Sequence, residues 1–329
     1  MLNVTQLRYI LSIDLTMRKQ KLVTKRALAW RIALTAGMVV VGIYVSLTHW
    51  SVVSTSLQAA QQANITWIGL ALVCMAGTFC IAAAMYGVLA IYALRYRQTL
   101  LVEVAGAFMN RVLPAGLGGL GLNGLYLYKH RHTPAEATVV VSVNNLLGMC
   151  AHVLLLIVLC ICEPTIVRTL FVGRNITVPW VWVLILFALV CVVCSLPIVR
   201  RRLTDFTGHL LLSLRKIHIA KVVQALLLAT LLTTVYTLSL FSAVKSVGIN
   251  LGLFEVFIVF SFGVLVGTAT PTPGGLVGAE AGLLAGLVLY GIPTAQAGAA
   301  VLLFRLVSYW LPLVPGLAAL LLARSRKLV

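Results

Sequence analysis

Thr270-Pro271-Thr272-Pro273-Gly274-Gly275-Leu276-Val277-Gly278-Ala279-Glu280 interrupts an apolar stretch that runs from residue 251 to residue 291. Two prolines and two adjacent glycines cannot continue a helix, so the stretch divides into arms 251–270 and 275–291. Each arm is short of, or barely equal to, the ~20 residues that cross a ~30 Å hydrocarbon core. A second breaker, Pro114-Ala115-Gly116-Leu117-Gly118-Gly119-Leu120-Gly121, divides apolar arms 99–113 and 117–128. A 15-residue helix is only ~22 Å long. Basic residues flank that pair on both sides, Arg95 and Arg97 before it and Lys129 and Arg131 after it. A single kinked span would put one flank on the wrong side of the membrane. A re-entrant hairpin entering from the cytoplasm accommodates both.

The rest of the chain follows from that reading. Of the 329 residues, 61% are hydrophobic and 10% are charged, and mean hydropathy is +1.06. A soluble domain needs more polar surface than this. Full spans are expected at roughly 27–47, 65–93, 135–162, 179–199, 222–244 and 294–322. Residues 1–26 form a basic cytoplasmic segment, and 27–329 a single transmembrane domain. The stretch 48–64 reads as an outside loop, and 203–218 as an interfacial helix. The net charge of +18 would suggest nucleic acid in a soluble protein. Here topology explains it without a nucleic-acid partner. All but five of the 25 Lys and Arg fall on one side. Arg168, Arg174 and Lys245 lie on the other, and Arg111 and Arg305 lie within membrane segments. This positive-inside pattern puts both termini in the cytoplasm and suits anionic headgroups. Cys191 and Cys194 have the spacing of a redox pair, but they sit in an apolar span and read as small packing residues.

A shift of 159 residues superimposes Pro114, Gly116, Leu117, Gly119, Leu125 and Pro134 on Pro273, Gly275, Leu276, Gly278, Leu284 and Pro293. The repeating unit is span, broken hairpin, span, over about 65–162 and 222–322. The charge rule gives the units opposite orientations. The expected fold is therefore an all-α polytopic membrane protein, with about six spanning helices and two re-entrant helical hairpins arranged as inverted repeats. Secondary transporters recurrently use such a plan, with the substrate site at the repeat interface.

Broken helices expose N–H groups at membrane depth, where the positive end of a helix dipole favours an anion such as phosphate. Gly274, Gly275 and Gly278 supply one such start, and Gly118 and Gly119 the other. Ionisable residues in apolar segments are costly and point to function. Arg305 lies ~16 Å into the last span by helical rise. Arg111 precedes the first breaker and Glu280 follows the second. Either the two arginines meet a phosphate, with Glu280 orienting Arg305 or exchanging a proton, or Glu280 and Arg305 form a structural ion pair. Asn110 and Asn123 can bond freed backbone or a headgroup. Asn144, Asn145 and His152 read as interhelical bonding residues, and Glu103 and Glu255 as interfacial anchors. The sequence carries no hydrolase, zinc-protease or nucleotide-binding signature, so neither an enzyme activity nor a cofactor is expected.

The 270–280 block, followed by Leu302-Leu303-Phe304-Arg305 and Tyr309-Trp310-Leu311-Pro312, resembles the lysylphosphatidylglycerol synthase transmembrane-region family, the flippase-like domain of the multiple peptide resistance factor. That family pairs a Pro-Gly-Gly-x-Gly-x-x-Glu block with an Arg in the next helix. In the first half Asn110, Leu113-Pro114, Gly118-Gly119 and Tyr128-Lys129 fit, whereas Leu120 stands at the family's Asp and Asn123 at its Arg. The resemblance covers essentially the whole chain. It implies movement of an anionic, phosphate-bearing lipid between leaflets of a bacterial inner membrane, or a non-transporting partner of a lipid-modifying or glycosyl-transferring enzyme.

Overall fold

The computed structural model describes residues 50–113, 117–162, 217–270 and 272–329. The basic head, the spans expected at 27–47 and 179–199, Cys191 and Cys194, most of the 203–218 segment, Pro271 and the Pro114–Gly116 turn lie outside the described residues. All regular structure among the described residues is helical: α1 Trp50–Gln61, α2 Ile65–Leu89, α3 Tyr96–Val112, α4 Leu117–Lys129, α5 Pro134–Cys162, α6 Ile219–Ser246, α7 Leu253–Ala269, α8 Gly278–Leu289, α9 Thr294–Arg305, a π-helical turn Leu306–Trp310, and α10 Leu313–Ser325.

Among the described residues four helices are long and apolar enough to cross a membrane: Ile65–Leu89, Pro134–Leu159, Ile219–Ser246 and the continuous rod Thr294–Ser325. The chain is thus a multi-pass membrane protein. Its surface agrees, since Ile65, Val73, Ile161, Ile219 and Val314 are each more than two-thirds exposed. Water penalises such a sleeve, whereas lipid does not. Between the long helices lie two pairs of shorter ones, α3 with α4 and α7 with α8.

Local chemistry explains the element ends. Asn64 caps α2 through Oδ1, which accepts from the Thr66 amide at 2.9 Å. α5 begins with a capping box on Thr133-Pro134-Ala135-Glu136. Glu136 Oε2 accepts from the Thr133 amide at 2.9 Å, and Thr133 Oγ1 accepts from the Glu136 amide. Glu255 caps α7 by accepting from the Gly252 amide at 2.6 Å.

Helices α2 and α6 run antiparallel. At one end the Asn64 amide donates to Ser246 O at 2.8 Å, and the Gln296 side chain donates to Val247 O at 2.9 Å. At the other end Lys221 donates to Ala90 O at 3.0 Å, and Lys129 reaches Lys327 O at 3.5 Å. The first end carries Lys245. The second gathers Lys129, Lys221 and Lys327. The buried core falls into patches. The largest joins α6, α7, α8 and α9, a second joins α2, α5 and α6, and a third joins α3, α4 and α10.

One expectation is corrected. The stretch 48–64 is not a plain loop, because 50–61 is helix α1. It packs on α9, where Gly298 admits Ser56 so closely that any Cβ at 298 would overlap the hydroxyl. The lack of Lys and Arg spoke to the side of the membrane and not to conformation.

Candidate functional site

Arg305 ends α9, where the α-helix widens into the π turn Leu306–Trp310. Widening of this kind often marks functional sites. Its cause is visible in the sequence. Pro312 has no N–H, so the carbonyl of Ser308, four residues earlier, lacks its helical donor. Arg111 Nη2, from the other hairpin, donates to that carbonyl. A backbone group freed at depth must find such a partner. Arg111 Nη1 bonds Ala107 O at 2.5 Å, and its buried Nε has no partner among the described residues.

Arg305 Nε donates to Glu280 Oε1 at 2.6 Å in a largely buried ion pair. Its Nη2 makes a long bond of 3.4 Å to Gly274 O. Both guanidinium groups lie against the ring of Tyr309, Arg305 at 4.7 Å and Arg111 at 5.6 Å from the centroid. Such contacts stabilise a cation by roughly 0.5–2 kcal/mol. Tyr309 also donates to Arg111 O at 3.3 Å. Gly274, with φ +59°, lets the ring sit on its backbone, since a Cβ there would lie 2.5 Å from Tyr309 Cε2.

A cavity of about 350 Å³ opens beside these groups. Arg111, Arg305, Asn110, Asn123, Gly119 and Gly274, all expected at the site, line it. Gly118, Gly275, Gly278 and Glu280 stand outside the lining. The three glycines serve close packing. A Cβ on Gly118 would overlap the Met109 carbonyl, one on Gly275 would lie 2.9 Å from Gly267 O, and one on Gly278 would overlap the Thr270 side chain. Glu280 acts through Arg305.

The helix starts are less open than the sequence suggests. The Gly119 amide donates to Asn110 Oδ1 at 2.6 Å, so Asn110 caps α4 from the opposite arm. At α8, the Ala279 and Ala281 amides already bond Gly275 O and Val277 O, each at 2.9 Å. Val277, the residue before α8, holds φ +70°. That left-handed conformation costs a β-branched residue about 1–3 kcal/mol and concentrates at functional sites. Thr272, 1% exposed, braces the turn by donating to Leu276 O at 2.8 Å.

Three sequence readings are corrected by the cavity. Glu103 is not an interfacial anchor. It lines the cavity, and its Oε1 is buried without a partner among the described residues. Asn144 and Asn145 also line it instead of tying helices together. Asn145 bonds Val141 O of its own helix, and Asn144 Oδ1 has no partner among the described residues. His152 behaves as expected, joining α5 to α7 through Ser261 Oγ at 3.0 Å. Leu120 lines the same cavity.

A comparison with curated proteins finds no match. The breaker that seats Tyr309, and the Glu280–Arg305 pair behind it, are the residues on which a family assignment should turn. The family model described as the lysylphosphatidylglycerol synthase TM region matches residues 28–316, and the chain belongs to that family.

Proposed function

We propose that this membrane domain of a lipid-related family moves an anionic, phosphate-bearing lipid between leaflets. The headgroup passes through the cavity while the acyl chains stay in the bilayer. One observation carries the reading. Two arginines from different halves of the chain share one cavity, and among the described residues only Arg305 of the two has a carboxylate partner. An uncompensated guanidinium at depth is expensive. A phosphate offers it charge and several acceptor oxygens at once.

The two halves are read as inverted repeats whose hairpins are re-entrant from opposite faces. Three facts support this. Applied to the helices, the 159-residue shift brings the ends of α3 and α4 within two residues of those of α7 and α8. The first helices of the two units, α2 and α6, are antiparallel. The flanks of the α3–α4 pair lie at the basic end, which we assign to the cytoplasm, and those of α7–α8 at the other. Rocking of one half on the other would alternate access. No energy source is assigned by these features.

The test is leaflet accessibility of a labelled phosphatidylglycerol in proteoliposomes. Wild-type protein should speed its equilibration over protein-free vesicles. Arg111→Ala and Arg305→Ala should each slow it about ten- to hundred-fold, the range expected for losing a charged hydrogen bond. Normal rates in both variants would discard the site.

A further inference from the structure

The cavity has a second chemical pole that the phosphate reading leaves unused. Glu103 lies eight residues before Arg111 on α3 and lines the same cavity. Asn123 of α4 and Tyr86 of α2 line the same cavity as Glu103. Three oxygen atoms then remain buried without a donor among the described residues: Glu103 Oε1, Asn123 Oδ1 and Asn144 Oδ1. They come from three helices and border one space. Asn123 is 5% exposed.

We propose that these oxygens form a binding site for a small monovalent cation, sodium or a proton, centred on Glu103. Unsatisfied acceptors in a low-dielectric cavity carry a desolvation penalty. An oxygen-only set of one carboxylate and two amide carbonyls suits a hard cation. Both terminal nitrogens of Arg111 serve the Ala107 and Ser308 carbonyls, which leaves its Nε and Ser308 Oγ as the buried lining donors without a partner among the described residues. The titratable groups facing Glu103 across the cavity are Tyr86 of α2, Tyr236 of α6, Arg111 of α3 itself, and Arg305 and Tyr309 of the last rod. Helices α4 and α5 bring no titratable group to the lining, and α10 carries none before Arg324. None of these is a second carboxylate, so Glu103 is the one anionic side chain in the lining among the described residues.

The consequence is coupling. A cation at Glu103 and a phosphate at Arg111 and Arg305 would occupy one cavity and attract each other, so each should tighten the other reciprocally. Use of the cation as a driving ion rests on the transport reading, whereas its binding does not.

Two arms separate sodium from proton. In the first, purified protein is titrated with radioactive sodium, choline replacing it at constant ionic strength. In the second, proteoliposomes carrying labelled phosphatidylglycerol are given a sodium gradient or a pH gradient. Saturable sodium binding that weakens at least ten-fold in Glu103→Gln and in Asn144→Leu supports a sodium site. Absence of sodium binding, with lipid flux that a pH gradient accelerates in wild type and not in Glu103→Gln, supports a proton site. Asn144→Leu guards against a misfolded Glu103 variant, because it removes an acceptor without a charge. If no lipid moves while sodium binds and Glu103→Gln loses it, the transport reading fails and the cation site stands. If neither arm responds in wild type, or Glu103→Gln responds in full, the cation site is wrong.

Discussion

The two helical pairs derive from matching sequence and are built on different forces. In α7–α8 the arms interlock through Gly263 and Gly267 on one side and Gly278, Gly282 and Gly286 on the other, the last three spaced four apart. A Cβ at Gly282 would lie 2.6 Å from Phe262 O, and one at Gly286 would lie 3.1 Å from Val259 Cα. Backbones approach this closely where small residues repeat at that spacing. In α3–α4 the closest approach is confined to the turn, at Gly118 against the Met109 carbonyl, whereas Gly121 and Gly124 further along face nothing within 4 Å. That pair is joined by polar contacts, Asn110 to the Gly119 amide at 2.6 Å and Thr99 to Tyr126 at 3.1 Å. The cavity shows the same division. The first pair lends it Glu103, Asn110, Arg111 and Asn123 among others, whereas the second pair and its turn lend only the Gly274 backbone. One pair is thus a packed wall and the other a polar, cavity-facing wall.

The strongest challenge to this contrast is to place a side chain in each pair. Gly282→Val should destabilise the protein by about 3 kcal/mol or more, because the new atoms meet backbone that cannot swing aside. Thermal unfolding in detergent would measure it. Gly124→Val should cost far less, and equal losses at the two positions would erase the distinction.

Next in size is the ion pair behind the second turn. A double-mutant cycle on Glu280→Gln and Arg305→Ala should give a coupling of about 1–2 kcal/mol in stability, as expected for a pair in direct contact and partly shielded from water. The same cycle on Glu280 and Arg111 should give roughly zero, since those residues do not touch. A coupling near zero for the first cycle would mean that Glu280 serves the ligand alone.

Asn110→Ala sharpens the other side of the comparison. It removes the acceptor that caps α4 and should cost about 1 kcal/mol. Asn110 also borders the cavity, so lipid movement should slow as well. Unchanged stability would show that the polar tie does not hold the first pair together.

Much of this architecture was legible because its signals are costly to the molecule. Arms expected at 99–113, 117–128, 251–270 and 275–291 form as Tyr96–Val112, Leu117–Lys129, Leu253–Ala269 and Gly278–Leu289. Prolines, paired glycines and basic flanks mark such ends whatever the tertiary packing. Arg305 and Glu280 stood out because charge in an apolar run is rare. Glu103 was missed for a reason of geometry. It lies seven residues into its arm, ~10 Å by helical rise, and sequence alone cannot say whether such a group turns to the interface or inward. Tyr309 carries no such cost, so its place between two arginines left no trace. The π turn did leave one, in Pro312 four residues after Ser308, where a missing N–H frees a carbonyl for Arg111.

The smallest expected effect tests the loosest part of the comparison. Gly121 and Gly124 lie mid-helix in α4 with open space around their missing Cβ atoms. If they persist only as relics of the repeat, Ala at either position should leave stability unchanged or raise it by up to about 1 kcal/mol, the ordinary helix-propensity gain. Lipid flux should not change, because neither residue borders the cavity. If Gly124→Ala instead slows flux while the protein stays equally stable, another conformation of the cycle must bring a neighbour against that face. The first pair would then pack as tightly as the second in one of its states, and the asymmetry would belong to a conformation and not to the fold.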